Sequence, residues 1–266
     1  MDISIVIRCG DDRRVFDCIQ SIDENVEIIV ALSDNRALQK ELEDRHIKYC
    51  MTPRHNLSQT SNIGINHASC DKVILTDSDT LFDPGCIREL YHALDQYQIA
   101  RARITFQTDN GKFTSWLVSE ARDYVNSLPL VYTPGIAFHK DIMADIGGFM
   151  FNDRVPYAVD ADLSYRLSKT CIPVKFIDSV GIRHNAESLR HDLKASFRIG
   201  QGCAISYLSL RQIKSYSGIR WDDLKGVKFS HLGDVLAKKG VFIALYQIIW
   251  DLFYWSGYID QWLKEV

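Results

Sequence analysis

"VILTDSDTLF", residues 73–82, sets an apolar run directly against two carboxylates one residue apart, with a hydroxyl between them. It reads as a buried strand that ends on Asp77 and Asp79. The chain before it repeats one pattern: "ISIVIRC", "EIIVAL" and "IKYCM" read as strands, and "VFDCIQSI", "NRALQKELEDR" and "LSQTSNIGINHA" as the helices between them. Strands alternating with helices specify an α/β fold, a mostly parallel central sheet with helices on both faces.

After the acidic pair, "FDPGCIRELYHAL" reads as a Pro-started helix, "IARARITFQT" as a longer strand and "TSWLVSEARDYVNSL" as an amphipathic helix. "LVYTPGIAFHK" is a strand broken by Pro134 and Gly135, and "DIMADIGGF" a short helix stopped by paired glycines. "DADLSYRLSKT" is a helix with Asp160 as candidate N-cap, followed by the strand "IPVKFID". From about Glu187 onward only helical signals remain. The expected division is residues 1–186 as an α/β domain and 187–266 as a helical C-terminal extension.

In an open α/β sheet, ligands bind at the carboxyl ends of the strands, where loops converge and helix N-termini point. Asp77 and Asp79 lie at such an end. They offer hard oxygen ligands of the kind Mg²⁺ or Mn²⁺ takes together with water and phosphate oxygens, although an acidic turn is the plainer alternative. Asp160 and Asp162 form a second acidic cluster, which reads as a helix cap with a first-turn acid or as a general base for a hydroxyl. Gly135 and the Gly147–Gly148 pair would let backbone approach a substrate closely. His184, in "SVGIRHN", could supply a nitrogen ligand or a phosphate donor, or simply a structural hydrogen bond.

The formal charge of −3 leaves no basic field to hold a nucleic-acid backbone. The local basic stretch from Arg183 to Lys214 reads as a solvated helix face. Seven cysteines, an odd number with no C-x-x-C pair, argue against a disulfide framework or a zinc site and fit a reducing, cytoplasmic compartment. "MDISIVIRCG" has no secretory-signal pattern and reads as a first strand.

Taken in order, these segments resemble the family 2 glycosyltransferases of GT-A fold. The matching stretches are "SIVIRC", "CIQSI", "EIIVAL", "NLSQTSNIGINHASCDKVILTDSDTLFDPGCI", "TPGIAFHKDIMADIGGF", "AVDADLSYRL" and "PVKFIDSVGIRHN", spread over roughly residues 3 to 185. The resemblance implies a Rossmann-like catalytic domain that moves a sugar, with inversion and with Mn²⁺ or Mg²⁺, from a nucleotide-diphosphate sugar to a hydroxyl acceptor. The expected donor is a UDP-sugar, and the expected acceptor a glycan, polysaccharide or lipid-linked precursor.

Residue by residue, the resemblance implies that Asp77 and Asp79 hold the metal and diphosphate, with Asp79 most direct and His184 beside them. It makes Asp160 the catalytic base and Asp162 the following acid, at the acceptor side with Gly135 and Gly148. Asn62 and Gly64 match an Asn-x-Gly element beside the donor, while Cys9 and Ser33 stand at the strand ends expected to contact the nucleotide. The chain departs from the family where "RCGDD" replaces the usual Pro-Tyr-Asn segment and "VALSDN" lacks the usual base-recognising acid. Those departures leave room for one rival, a degenerate GT-A fold that binds without turnover; a second, a sugar nucleotidyltransferase, would want a Gly-rich basic loop after the first strand, where "RCGDDRR" has one Gly and two acids.

No run reaches the roughly 18 apolar residues of a membrane span. The nearest is "GVFIALYQIIWDLFYWSGYIDQWL", residues 240–263, interrupted by Gln247, Asp251, Ser256 and Asp260. It reads as a helix packed on the main domain or in a homodimer interface. The other reading is a peripheral membrane contact, at the inner face, with Lys238 and Lys239 toward an anionic surface.

Overall fold

The computed structural model describes residues 1–53, 56–109 and 111–265. Strand β1 (Ser4–Cys9) is buried along its whole length and lies between β2 (Glu27–Ser33) and β4 (Lys72–Asp77), parallel to both. β3 (Tyr49–Thr52) adds a parallel strand beyond β2. Helices α1 (Val15–Gln20), α2 (Arg36–Asp44) and α3 (Leu57–His67) make the crossovers. Two of them start where a short amide caps them: Asn35 accepts from the Leu38 N–H at 3.1 Å at α2, and Asn56 from the Gln59 N–H at 3.0 Å at α3.

Beyond β4 the sheet changes character. β5 (Thr80–Phe82), α4 (Cys86–Ala93), β6 (Ile99–Phe106), α5 (Phe113–Asn126), β7 (Ile136–His139), α6 (Ile142–Asp145), α7 (Val159–Leu167) and β8 (Val174–His184) follow in the chain. The spatial strand order is β3-β2-β1-β4-β7-β6-β8-β5. β7 runs antiparallel to β4 and β6, β8 runs parallel to β6, and β5 antiparallel to β8. The sheet is therefore parallel in its first half and mixed in its second.

That second half differs from the sequence reading in several places: β5 is a strand where none was expected, and α4 starts after its N-cap Gly85, leaving Pro84 outside it. The strand expected at "IPVKFID" continues through "SVGIRH" to His184, past a register shift opposite Ala102 and Arg103. At the shift a Cβ on Gly181 would sit 2.3 Å from the Arg103 carbonyl oxygen, so a side chain there would keep the strands apart. The Asp160 N-cap is also not realised: Ala158 caps α7 in a left-handed conformation (φ 60°), and Asp160 lies inside the first turn.

Side-chain alternation along the sheet separates two apolar layers. Ile5 and Ile7 face α1, α2 and α4 with Leu38, Leu42, Ile87 and Leu90, while Val6 faces α3, α6 and α7 with Ile65, Ile142 and Leu163. A third cluster joins α5 and α7 to the C-terminal helices α8 (Leu189–Arg211), α9 (Leu232–Lys239) and α10 (Val241–Glu265). Helices α8 and α10 cross at glycines: a Cβ on Gly200 would lie 2.0 Å from the Tyr254 carbonyl oxygen, and one on Gly257 2.0 Å from that of Phe197. No helix among the described residues is long and apolar enough to cross a membrane.

Candidate active site at the carboxyl ends of the strands

Strand register brings the acidic pair and the histidine together. Thr80 in β5 is paired with His184 in β8, so Asp79 meets the end of a strand more than a hundred residues further along. The His184 Nε2 lies 3.3 Å from Asp79 Oδ2, its ring stacks on Phe106 at 4.8 Å, and Nδ1 lies 3.0 Å from the Asn185 carbonyl oxygen. Burial disfavours the imidazolium more than any one neighbour favours it, but Asp79, the Asn185 carbonyl, Glu187 and Asp77 together outweigh it and raise the His184 pKa above 6.5. Burial likewise raises the Asp79 carboxyl, against the pull of His184.

Asp77 is held differently. Its two oxygens accept from Arg8 Nε at 2.7 Å and Nη2 at 2.8 Å, a bidentate pair across the β1–β4 register. Arg8 Nη2 also donates to Thr133 Oγ1 at 2.8 Å, and the Thr133 N–H donates to Asp160 Oδ1 at 3.2 Å. Asp77, Arg8, Thr133 and Asp160 thus form one hydrogen-bonded chain. Burial pushes the Asp160 carboxyl above its ordinary 3.8, while Arg8 and the Thr133 donors pull it back. Arg8 is 5% exposed and its Nη1 has no hydrogen-bond partner within the described residues.

Arg14, on the loop after β1, completes the rim. It donates from Nε to both Asp12 oxygens at 2.9 and 2.8 Å and places Nη2 3.6 Å from Asp79 Oδ2. Glu187 Oε1 stands 3.9 Å from His184 Nε2. Sequence reasoning missed Arg8, Arg14 and Thr133. Arg8 had a signal, a lone cation inside an apolar strand, which must find an anionic partner when buried. Thr133 had none.

Asp79 and His184 are the residues suited to a divalent cation, a carboxylate oxygen and an imidazole nitrogen close enough to share one ion. Among the described residues no group of three or more His, Cys, Asp or Glu converges with metal-holding geometry. The donor set fits an ion that takes the rest of its shell from diphosphate oxygens and water, as Mg²⁺ commonly does. Asp77, expected to be a ligand, has both oxygens turned to Arg8.

Asp162 and Asn62, also expected at the site, have their polar atoms engaged elsewhere. Asp162 is 1% exposed; Oδ1 accepts from Arg166 Nε at 2.6 Å and Oδ2 from Ser206 Oγ at 2.7 Å, which leaves no open edge for an acceptor. Arg166 in turn donates to the Ile146, Phe149 and Met150 carbonyls, fixing the loop ahead of α7. The Asn62 amide is used by the Phe151 backbone and by Asp153 Oδ1 at 2.7 Å. Gly64 packs α3 on the sheet: a Cβ there would lie 2.4 Å from Val6 Cγ1.

Cys9 ends β1, buried, with its thiol pushed up to about 12 by burial. Ser33 ends β2 with Oγ 3.2 Å from Thr52 Oγ1. Gly135 sits just before β7 between β4 and β6 at φ +70°, donating to the Leu75 carbonyl at 3.0 Å and accepting from the Ala102 N–H at 2.9 Å, while Gly148 is exposed at φ +87° with open space around it.

The profile of the family described as "Glycosyl transferase family 2" matches residues 13–157. No curated protein matches the sequence. Among solved structures, residues 1–349 of S. aureus TarS in complex with UDP-GlcNAc align at a TM-score of 0.53 and 12% identity, over 98% of this chain and 91% of that one. GalNAc-T7 with UDP, GalNAc and Mn²⁺ aligns at 0.57 and 11% identity, over 95% of this chain and 57% of that one. The chain spans 55% of the longer S. aureus TarS structure. At these identities the likeness is one of fold, and that fold is GT-A.

Proposed function

The chain belongs to glycosyl transferase family 2, and from that premise we propose that it transfers a sugar, with inversion, from a UDP-sugar to an acceptor hydroxyl. The observation that carries the reading is the pairing of Asp79 with His184 two residues along from Asp77, which starts a hydrogen-bonded chain through Arg8 and Thr133 to Asp160. Solved structures of the same fold with UDP-GlcNAc, and with UDP and Mn²⁺, support the donor class.

Asp79 and His184 would hold Mn²⁺ or Mg²⁺, which supplies Lewis-acid neutralisation of the departing diphosphate. Arg14, beside Asp79, adds a fixed positive charge on the same side. Asp160 takes the proton of the acceptor hydroxyl. Its oxygen attacks the anomeric carbon opposite the bond to the nucleoside diphosphate; one C–O bond forms as the other breaks, and the configuration inverts. A carboxyl raised by burial is a stronger base than an exposed one, and the nearby Arg8 favours its ionised form. The acceptor is a glycan or lipid-linked hydroxyl. Residues 1–186 carry this chemistry, and residues 187–266 are a helical extension packed against α5 and α7.

The test is a screen of UDP-sugars with Mn²⁺, followed by product anomer analysis and by the Asp160→Asn variant. UDP release, an inverted product, and loss of transfer with donor binding intact in Asp160→Asn are the expected results. Full turnover by Asp160→Asn overturns the base assignment, and thermal stabilisation by UDP-sugars with neither hydrolysis nor transfer identifies a non-catalytic binder.

A further inference from the structure

Helix α10 is apolar on both sides. Its inner side packs on α5 and α8 through Ile243, Tyr246, Trp250 and Tyr254. On its outer side Phe242, Leu245, Ile249, Leu252, Ile259 and Leu263 recur at steps of three, four and seven, and each is 46–66% exposed. An all-round apolar helix is normally covered on every side. At 1.5 Å per residue the stripe runs for about 30 Å, and a contiguous apolar face of that length marks an interaction surface.

The stripe does not stop at the helix. Phe113 of α5 meets Phe242 edge-on at 5.7 Å and Trp116 at 5.5 Å. A groove between the helices is lined by Leu117, Leu189 and Leu193 together with Phe242, Leu245 and Ile249. The row on α8 next to Leu189 and Leu193 is cationic: Arg190 and Lys194 are exposed and have no ion pair among the described residues. The carboxylates within α10 point elsewhere. Asp251 accepts from Lys225 and Gln247, and Asp260 from Gln201 and Lys264.

We propose that the outer face of α10, with Phe113, Trp116 and the groove beside α8, docks this protein on the surface of an anionic lipid bilayer. An apolar stripe with aromatics, bordered by unpaired Arg and Lys, is complementary to acyl chains below and acidic headgroups above. The width of the face argues for a lipid surface over a second copy. A two-helix seam uses one stripe, whereas Ile248 and Trp262 beside the stripe, and Phe113 and Trp116 beyond it, are exposed as well. Leu189 follows His184 by five residues, so the docked face lies close to the donor carboxylates. Under the proposed function that suits an acceptor carried in the same bilayer; the docking itself does not depend on that function.

The test is co-sedimentation of the full chain with vesicles of equal parts phosphatidylcholine and phosphatidylglycerol, and with phosphatidylcholine alone, with no turnover required. The native protein pellets with the anionic vesicles, and about tenfold more weakly with the neutral ones. Leu252→Asp with Leu263→Asp lowers anionic binding by at least about tenfold, with an unchanged melting temperature because both side chains face out beyond the groove. Arg190→Glu with Lys194→Glu removes the preference for anionic over neutral vesicles. Native protein left in the supernatant overturns the proposal, as does the double Leu variant pelleting like the native chain. A native dimer in sedimentation velocity that Leu252→Asp dissociates, without vesicle binding by the native chain, assigns the face to a second copy instead.

Discussion

Arg8 grips Asp77 with two parallel hydrogen bonds, at 2.7 and 2.8 Å, from inside the central strand of the sheet. The pair divides the labour of Asp77 and Asp79. Asp77 answers a buried cation, and Asp79 is left to face His184.

Replacing Arg8 by Met strands the Asp77 carboxylate and the Thr133 hydroxyl together. Asp77 keeps 26% exposure, so water relieves part of the penalty, and the expected loss is on the order of 2 kcal/mol in urea unfolding. Asp160 loses a neighbouring cation at the same time. Its anionic form becomes costlier, its pKa rises further, and the acid limb of kcat/KM moves to higher pH. Arg8→Lys restores charge without the planar fork, so it should return the pH limb more fully than the stability. An unshifted limb in Arg8→Met disconnects Arg8 from Asp160.

The two acids should fail differently. Asp79→Asn removes one of the two side chains proposed to hold a divalent ion, and calorimetry should show Mn²⁺-dependent UDP-sugar binding weakened at least about tenfold, with a similar loss in His184→Ala. Asp77→Asn should mainly lower stability, because it breaks the Arg8 pair. The opposite pattern, with Mn²⁺ dependence surviving Asp79→Asn and lost in Asp77→Asn, makes Asp77 the ligand.

Gly64→Ala separates packing from donor contact. The added methyl meets Val6 Cγ1 at 2.4 Å and Ala31 Cβ at 3.1 Å under α3, and such overpacking costs about 1–3 kcal/mol. A lowered unfolding midpoint with an unchanged KM for the donor is the expected outcome. A raised KM at unchanged stability would place Gly64 at the donor.

The parallel half of the sheet was legible because "ISIVIRC", "EIIVAL" and "VILTD" are apolar runs set apart by capped helices, and that pattern is local. The pairing of Thr80 with His184 was not. β5 has three residues and its partner lies across a long stretch of chain, so no periodicity records it. Asp162 was misplaced although its signal was present: Arg166 follows it by four residues, the spacing of a helical ion pair. Asn62 carried no such signal, since an amide reads the same whether it faces a ligand or the backbone of Phe151.

Glu27 gives the fold a dependence on pH away from the site. Its Oε2 accepts from Ser4 Oγ at 2.5 Å and from the Ser69 N–H at 2.7 Å, and Oε1 accepts from Lys48 Nζ at 2.5 Å, tying β2 to β1 and to the loop before β4. Burial alone would raise its pKa, but Lys48, Ser4 and Ser69 outweigh burial and bring it from 4.5 down to about 2. The folded value lies below the unfolded one, so the unfolded chain binds the proton first as pH falls. The stabilisation is complete above pH 4.5 and disappears as pH drops toward about 2. Glu27→Gln should therefore melt roughly 2–4 °C below the native protein near neutrality. That gap should close progressively through the acid window. A gap that stays constant down to the lowest pH at which both chains remain folded would show that Glu27 contributes shape and not charge.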